Sequence, residues 1–172
     1  MEQKEIIKQI NKGKIFIYPT DTIYGIGCDA TNIKAVNKIK EIKQRDKDKP
    51  LSIIAPSIDW IKENLIIDCD LDKYLPGPYT IILKKKNPKF LEWVSNTDSL
   101  GIRIPDHEFT KMIQGAGVPF ITTSVNLSGE PFITEIPEIS HDILEHIDNI
   151  IDYGPLTGQP STLIINGKEV GR

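Results

Sequence analysis

Cysteine is nearly missing. Cys28 and Cys69 are the only two in 172 residues, and they form no Cys-x-x-Cys pair. That excludes a disulfide-built scaffold and a structural zinc site, and leaves both expected as buried thiols. Aromatic residues make up only 7%, and no apolar run approaches the roughly 18 residues a membrane-spanning helix needs. The opening Met1-Glu2-Gln3-Lys4-Glu5 lacks the basic-then-apolar layout of a secretory leader. These gaps point to a cytoplasmic protein with no membrane role. Repeats and linkers are missing too, so residues 1–172 read as one domain. A large charge excess is also lacking: 21 Lys and Arg against 24 Asp and Glu give −3. With 39% hydrophobic residues, the chain is a folded globular one and not a disordered one. His107, His141 and His146 show no metal-ligand spacing, and no Ser/His/Asp arrangement stands out.

The small net charge hides a division along the chain. From Lys38 to Lys49 six basic residues face three acidic ones, and Lys84-Lys85-Lys86 adds a second basic knot. Glu130 to Asp152 carries seven acidic residues and no Lys or Arg. Anions are therefore expected near the first stretch and not near the last. Short apolar runs alternate with amphipathic stretches, the pattern of a mixed α/β domain. The spacing predicts helices over residues 2–11, 32–43, from Ser57 through Ile61, 107–114 and 141–147. Strands are predicted over 14–18, 51–55, 79–83, 100–104, 119–123, 149–152 and 162–165.

Three segments carry polar side chains where a strand meets a loop, a common place for a ligand. In Tyr18-Pro19-Thr20-Asp21-Thr22-Ile23-Tyr24-Gly25-Ile26-Gly27, an extended backbone would put Thr20, Thr22 and Tyr24 on one face, three hydroxyls toward a polar ligand. Gly25-x-Gly27-x-x-Ala30 also fits a dinucleotide fingerprint, but Pro19 and five further residues separate it from the strand it should follow directly. In Lys43-Gln44-Arg45, a continuing helix would hold the two cations about 200° apart. Pro50 argues that the helix has unwound, so that both could converge on one polyanion such as a triphosphate. In Thr122-Thr123-Ser124-Val125-Asn126, Ser124 and Asn126 share a face, and Ser128-Gly129 is a turn able to offer backbone N–H groups to an anion.

Taken in order, these segments resemble the YrdC-like family, the threonylcarbamoyl-AMP synthases that begin threonylcarbamoyladenosine modification of tRNA. Tyr18 to Ala30 is similar to the family's opening motif, Lys43-x-Arg45 with Lys49-Pro50-Leu51 to its basic motif, and Ser124-x-Asn126 to its Ser-x-Asn motif. Leu75-Pro76-Gly77-Pro78, Gly101-Ile102-Arg103-Ile104-Pro105 and Gly154 to Thr162 match further elements. The resemblance implies an α/β fold: a twisted open sheet of mixed strands with flanking helices and a concave basic cavity. It implies a nucleotidyltransferase that makes L-threonylcarbamoyladenylate and pyrophosphate from L-threonine, bicarbonate and ATP, with Mg²⁺ on the phosphates and no metal bound by the chain alone. Lys43 and Arg45 would be catalytic. With Lys49, Ser124, Asn126 and Arg172 they would hold the nucleotide. Thr20, Thr22, Tyr24 and Ser161 would shape the threonine pocket, and Arg103 would meet the threonine carboxylate. Partners implied are downstream threonylcarbamoyl-transfer proteins and, weakly, tRNA or double-stranded RNA.

Two departures accompany the resemblance. Ile54 stands where many members have His, and Thr122-Thr123 replaces the usual Ala-Pro before the Ser-x-Asn motif. Two other readings stay open from sequence. One is a carbamoyl-transfer module of the hydrogenase-maturation type, though the acylphosphatase and Cys-rich segments of those chains are lacking. The other is a non-catalytic RNA-binding module using Lys38 to Lys49 and Lys84 to Lys86, which the charge of −3 disfavours.

Overall fold

The computed structural model describes residues 1–171. The chain alternates as its hydrophobic periods require. Helix α1 (Gln3–Asn11) buries Ile6 and Ile10 and stops before Gly13, which takes the positive φ that ends the turn. Strands β1 (Phe16–Tyr18) and β2 (Gly25–Gly27) follow, then α2 (Ile33–Ile42), capped by the Asn32 side chain accepting from Ala35 N at 3.1 Å. Next come β3 (Ser52–Ile54), α3 (Ile58–Asn64) capped by Ser57, and β4 (Leu65–Ile66). Strands β5 (Tyr79–Lys85) and β6 (Ser99–Arg103) precede α4 (Glu108–Ala116) and β7 (Phe120–Ser124). The chain closes with α5 (His141–Leu144), β8 (Asn149–Ile150), β9 (Thr162–Ile165) and β10 (Lys168–Val170).

Nine strands form one mixed sheet in the order β10-β9-β5-β6-β3-β7-β2-β1-β8, and β4 adds to β5. Most neighbours are antiparallel; β9 on β5, β3 on β6 and β8 on β1 are parallel. Its two faces differ. Ile17, Ile26, Ile53, Ile81, Ile102 and Ile121 line one face, sealed by Val36, Ile39 and Ile42 of α2 and Ile61 of α3. On the other, Phe16, Tyr18, Ile54 and Phe120 pack under Ile6 and Ile10 of α1 and Phe109 and Ile113 of α4. Ile54 is thus a core residue there, 1% exposed, and takes no part in a polar site. Along β7 this second face runs Phe120, Thr122, Ser124, and along β3 it runs Ile54, Ser52; Ser52 pairs with Thr122 across the strands. The face therefore turns from aromatic to hydroxyl within one strand length. Where it turns, the helices stop covering it and a cavity begins.

Several expectations change. Gly25–Gly27 is a strand between β1 and β7, so its glycines open no helix and the dinucleotide reading falls. A side chain at Gly27 would collide with the Ile121 carbonyl and the Phe120 ring, and one at Gly25 would come 3.0 Å from the Tyr18 ring. These glycines let strands approach. Helix α5 and strand β8 are shorter than predicted; between them Asp148 Oδ2 accepts from Ile15 N at 2.8 Å and fixes the chain to the sheet edge. Cys28 is buried but Cys69 is only half-buried; both are free thiols. No helix among the described residues is long and apolar enough to cross a membrane.

Candidate active site

A cavity of about 390 Å³ opens on the hydroxyl half of the sheet. Its walls include Thr20, Thr22 and Tyr24 from the β1–β2 connection, Arg45 and Lys49 from the loop after α2, and Arg103 from β6. Ser124 and Asn126 after β7 and Ser161 before β9 complete the set. Of the residues singled out from sequence, only Lys43 is missing from the wall, and Arg172 lies outside the described residues. Ser52, Thr80, Thr122, Thr123, Phe132 and Pro160 line it too. Thr122, Thr123 and Pro160 lie within segments already singled out, while no motif marks Ser52 or Phe132. For Ser52 and Thr122 the available signal was a hydroxyl at an inward strand position beside an apolar one two residues away.

The loop after α2 explains the separation of Lys43 from Arg45. Gln44 adopts φ +51, and Arg45 N donates to Lys40 O at 2.9 Å while Gln44 N donates to Glu41 O at 3.0 Å, a Schellman end. The turn directs Lys43 inward and Arg45 to the cavity. Lys43 is 2% exposed, and its ammonium donates to Ser124 O, to Asn126 O at 2.9 Å and to Asn126 Oδ1 at 3.1 Å. Ser124 Oγ donates to the same Oδ1 at 2.5 Å, and Asn126 Nδ2 donates to Glu130 O at 2.6 Å. Lys43 and Arg45 therefore do not converge on one anion. Lys43 braces the Ser-x-Asn loop from below. Its pKa is lowered to about 7 by burial first and then by the charges of Arg45 and Lys49. Arg45 is fixed by Nη2 donating to Pro50 O at 2.6 Å, and burial lowers its pKa as well.

The opening motif departs from the extended form. Thr20 Oγ1 accepts from Thr22 N at 3.0 Å and donates to Ile23 O at 2.7 Å, a local turn closed by a threonine. Thr22 Oγ1 lies 2.9 Å from Thr20 Oγ1 and accepts from Arg103 Nη1 at 3.3 Å. Tyr24 is fully buried; its hydroxyl donates to Gly154 O at 2.7 Å and accepts from Tyr153 N at 2.9 Å. These three hydroxyls hold the cavity's shape and are already engaged within the chain. Arg103 pairs with Asp21, whose other oxygen accepts from Asp106 N at 2.8 Å. Thr80 and Ser161 share a hydrogen bond of 2.6 Å in the wall.

The basic stretches also resolve into separate parts. Lys40 is buried and donates to Lys47 O at 2.9 Å and Trp93 O at 2.7 Å; Lys85 is buried and donates to Ser95 O at 2.6 Å. Neither presents its charge to a large ligand; of the second basic knot only Lys85 is withdrawn, while Lys84 and Lys86 stay exposed to solvent. Among the described residues no acidic side chain lines the cavity and no cluster of three His, Cys, Asp or Glu side chains could hold a metal ion.

A mixed sheet carrying a cation-rimmed, hydroxyl-walled cavity is suited to a polar, anionic ligand. The family model Sua5_yciO_yrdC, described as telomere recombination, matches residues 8–170, and the chain belongs to that family. A Methanocaldococcus jannaschii protein, provisionally named a threonylcarbamoyl-AMP synthase, is 42% identical over 172 aligned positions, covering 95% of this chain and 81% of that one. A Vibrio campbellii threonylcarbamoyl-AMP synthase is 33% identical over 157 positions, covering 86% and 84%. Among solved structures, P. abyssi Sua5 complexed with L-threonine superposes with a TM-score of 0.82 at 31% identity. That match covers 96% of this chain and 52% of the Sua5 chain, so this chain spans about half of it.

Proposed function

We propose that the chain is a threonylcarbamoyl-AMP synthase acting in the cytoplasm for the threonylcarbamoyladenosine modification of tRNA. The observation that carries this is one cavity that joins a cationic rim, Arg45 and Lys49, to a hydroxyl-walled end with Arg103. The threonine amine and bicarbonate give a carbamate with loss of water. The carbamate oxygen then attacks the α-phosphorus of ATP, the bond to the β-phosphate bridging oxygen breaks, and pyrophosphate leaves. A carbamate is a weak nucleophile that readily loses CO₂, so positioning and charge neutralisation must supply the rate. Arg45 and Lys49 neutralise the phosphates. Ser124 and Asn126 position the nucleotide, and Lys43 acts through them as a positioning residue. Arg103, oriented by Asp21, meets the threonine carboxylate, while Thr20, Thr22, Tyr24 and Ser161 fix the pocket's shape. With no carboxylate among the described residues of the wall, Mg²⁺ would arrive on the phosphates of the nucleotide. Transfer proteins would take the adenylate onward, and any contact with tRNA would be weak.

Mass spectrometry of the products from ATP, L-threonine and labelled bicarbonate tests the reading. The expected result is labelled threonylcarbamoyl-adenylate, with one pyrophosphate released per adenylate. Pyrophosphate release that proceeds equally well without threonine would refute it in favour of a general nucleotide hydrolase.

A further inference from the structure

The chain has five phenylalanines. Phe16, Phe109 and Phe120 are sealed in the core, and Phe90 packs against it beside Trp60. Phe132 differs. It is 39% exposed, and it lies on the wall of the polar cavity. A ring left there forgoes the burial that stabilises the other four, although it stands next to the best-organised part of the site. Its backbone is held on both sides. Glu130 O accepts from Asn126 Nδ2 at 2.6 Å, Ile133 O accepts from Tyr24 N at 3.3 Å, and Thr134 O accepts from Leu156 N at 2.9 Å. Pro131, just before Phe132, has its own φ fixed by its ring. Tyr24, the other aromatic in the wall, is fully buried with its hydroxyl tied to the chain after β8, so Phe132 is the aromatic face the described wall presents to a ligand.

We propose that Phe132 is the platform on which the nucleotide's purine stacks, and that it makes the site select purine over pyrimidine triphosphates. The inference rests on ATP being the substrate proposed above. Arg45 and Lys49 account for the phosphates, but neither explains how a base is chosen. Asn126 has little of its amide left to read a base edge, because Oδ1 already accepts from Lys43 and Ser124 and one of the two Nδ2 hydrogens is donated to Glu130 O. Stacking needs no edge. Every base offers a π-face, and the larger purine covers more of a phenyl ring than a pyrimidine does. Selection here therefore follows ring size more than hydrogen-bond pattern, and adenine and guanine nucleotides are distinguished less sharply than purines from pyrimidines.

Calorimetric binding of ATP, CTP, tripolyphosphate and threonine to wild type, Phe132→Ala and Phe132→Trp tests this. In Phe132→Ala, ATP affinity should fall roughly 10- to 100-fold, the range for loss of one stacked base. CTP should weaken much less, and tripolyphosphate and threonine should be unchanged; Phe132→Trp should keep the ATP affinity. Equal weakening of ATP and tripolyphosphate, unchanged ATP binding, or weakened threonine binding would each overturn the assignment. Wild-type protein that binds ATP through Phe132 but makes no adenylate would refute the reaction while leaving the stacking role intact.

Discussion

At the scale of single residues, Lys43 shows how a buried charge can act without touching a ligand. Its three oxygen partners all belong to the Ser124-to-Asn126 turn, so the ammonium stands where a bound cation could otherwise organise that loop. Its folded pKa, about 7, lies below that of an exposed lysine, near 10.4. Between those values the unfolded chain binds more protons than the folded one, so this group's contribution to stability rises with pH across that window. Activity should move the other way, because deprotonation removes one of three donors while Arg45 and Lys49 stay charged. The kcat/KM for ATP should therefore decline as pH rises through about 7, while the denaturation midpoint does not. Lys43→Met should give a low, flat profile through the same range. A wild-type profile that is flat between about pH 6 and pH 9 would remove Lys43 titration from the account.

Among elements, the connections decide the site more than the strands they join. The segment between β8 and β9 crosses the cavity without secondary structure and is held by Tyr24, by Thr134 O and by Pro78 O, which accepts from Thr162 N at 2.9 Å. Gly158 lies against the Thr22 backbone, where any Cβ would collide with the Thr22 carbonyl. Gly158→Ala should lift this segment from the opening motif. We expect turnover to fall about 10-fold or more, as for a small displacement of a positioned site, with the melting temperature little changed because the segment supplies no fully buried hydrophobic side chain. Gly27→Ala makes the contrast. There the new methyl enters the sheet between β2 and β7, and overpacking should cost about 1–3 kcal/mol of stability by denaturant unfolding. Equal stability losses in the two variants would show that the segment and the sheet are one cooperative unit.

For the whole molecule, the arrangement of charge matters more than its sum. Net charge is −3, yet Arg45 and Lys49 stand at the cavity and no acidic side chain among the described residues lines it. Lys40, Lys43 and Lys85 turn their amino groups inward, onto backbone carbonyls. The field that meets a ligand is thus local. The KM for ATP should rise several-fold as salt is raised from about 0.05 M to 0.5 M, because partly exposed cations are screened over a Debye length. The KM for threonine, a zwitterion, should change much less. Steady-state kinetics in the two salts compares them directly, and equal sensitivity of both substrates would point to a general loosening of the fold.

What the sequence determined by itself were the features set by short-range chemistry. The periods of Ile6 and Ile10, of Val36, Ile39 and Ile42, and of the β-branched runs placed most helices and strands. The ordered motifs from Tyr18 to Ser161 named nearly every predicted residue found in the cavity wall. Tertiary structure decided the rest. Gly25–Gly27 is a strand because β1 and β7 flank it closely, which no local propensity of two glycines could indicate. Lys43 and Arg45 look equivalent in sequence, but the left-handed Gln44 sends one under the Ser-x-Asn loop and the other to the cavity. Thr20, Thr22 and Tyr24 reach the site with hydroxyls already bonded to partners fixed only on folding. Phe132 carries no motif, and its place in the wall depends on anchors at Asn126, Tyr24 and Leu156. A side chain's type is local, but the partner that consumes its hydrogen bonds or covers its surface can lie a hundred residues away, and that partner decides what remains for a ligand.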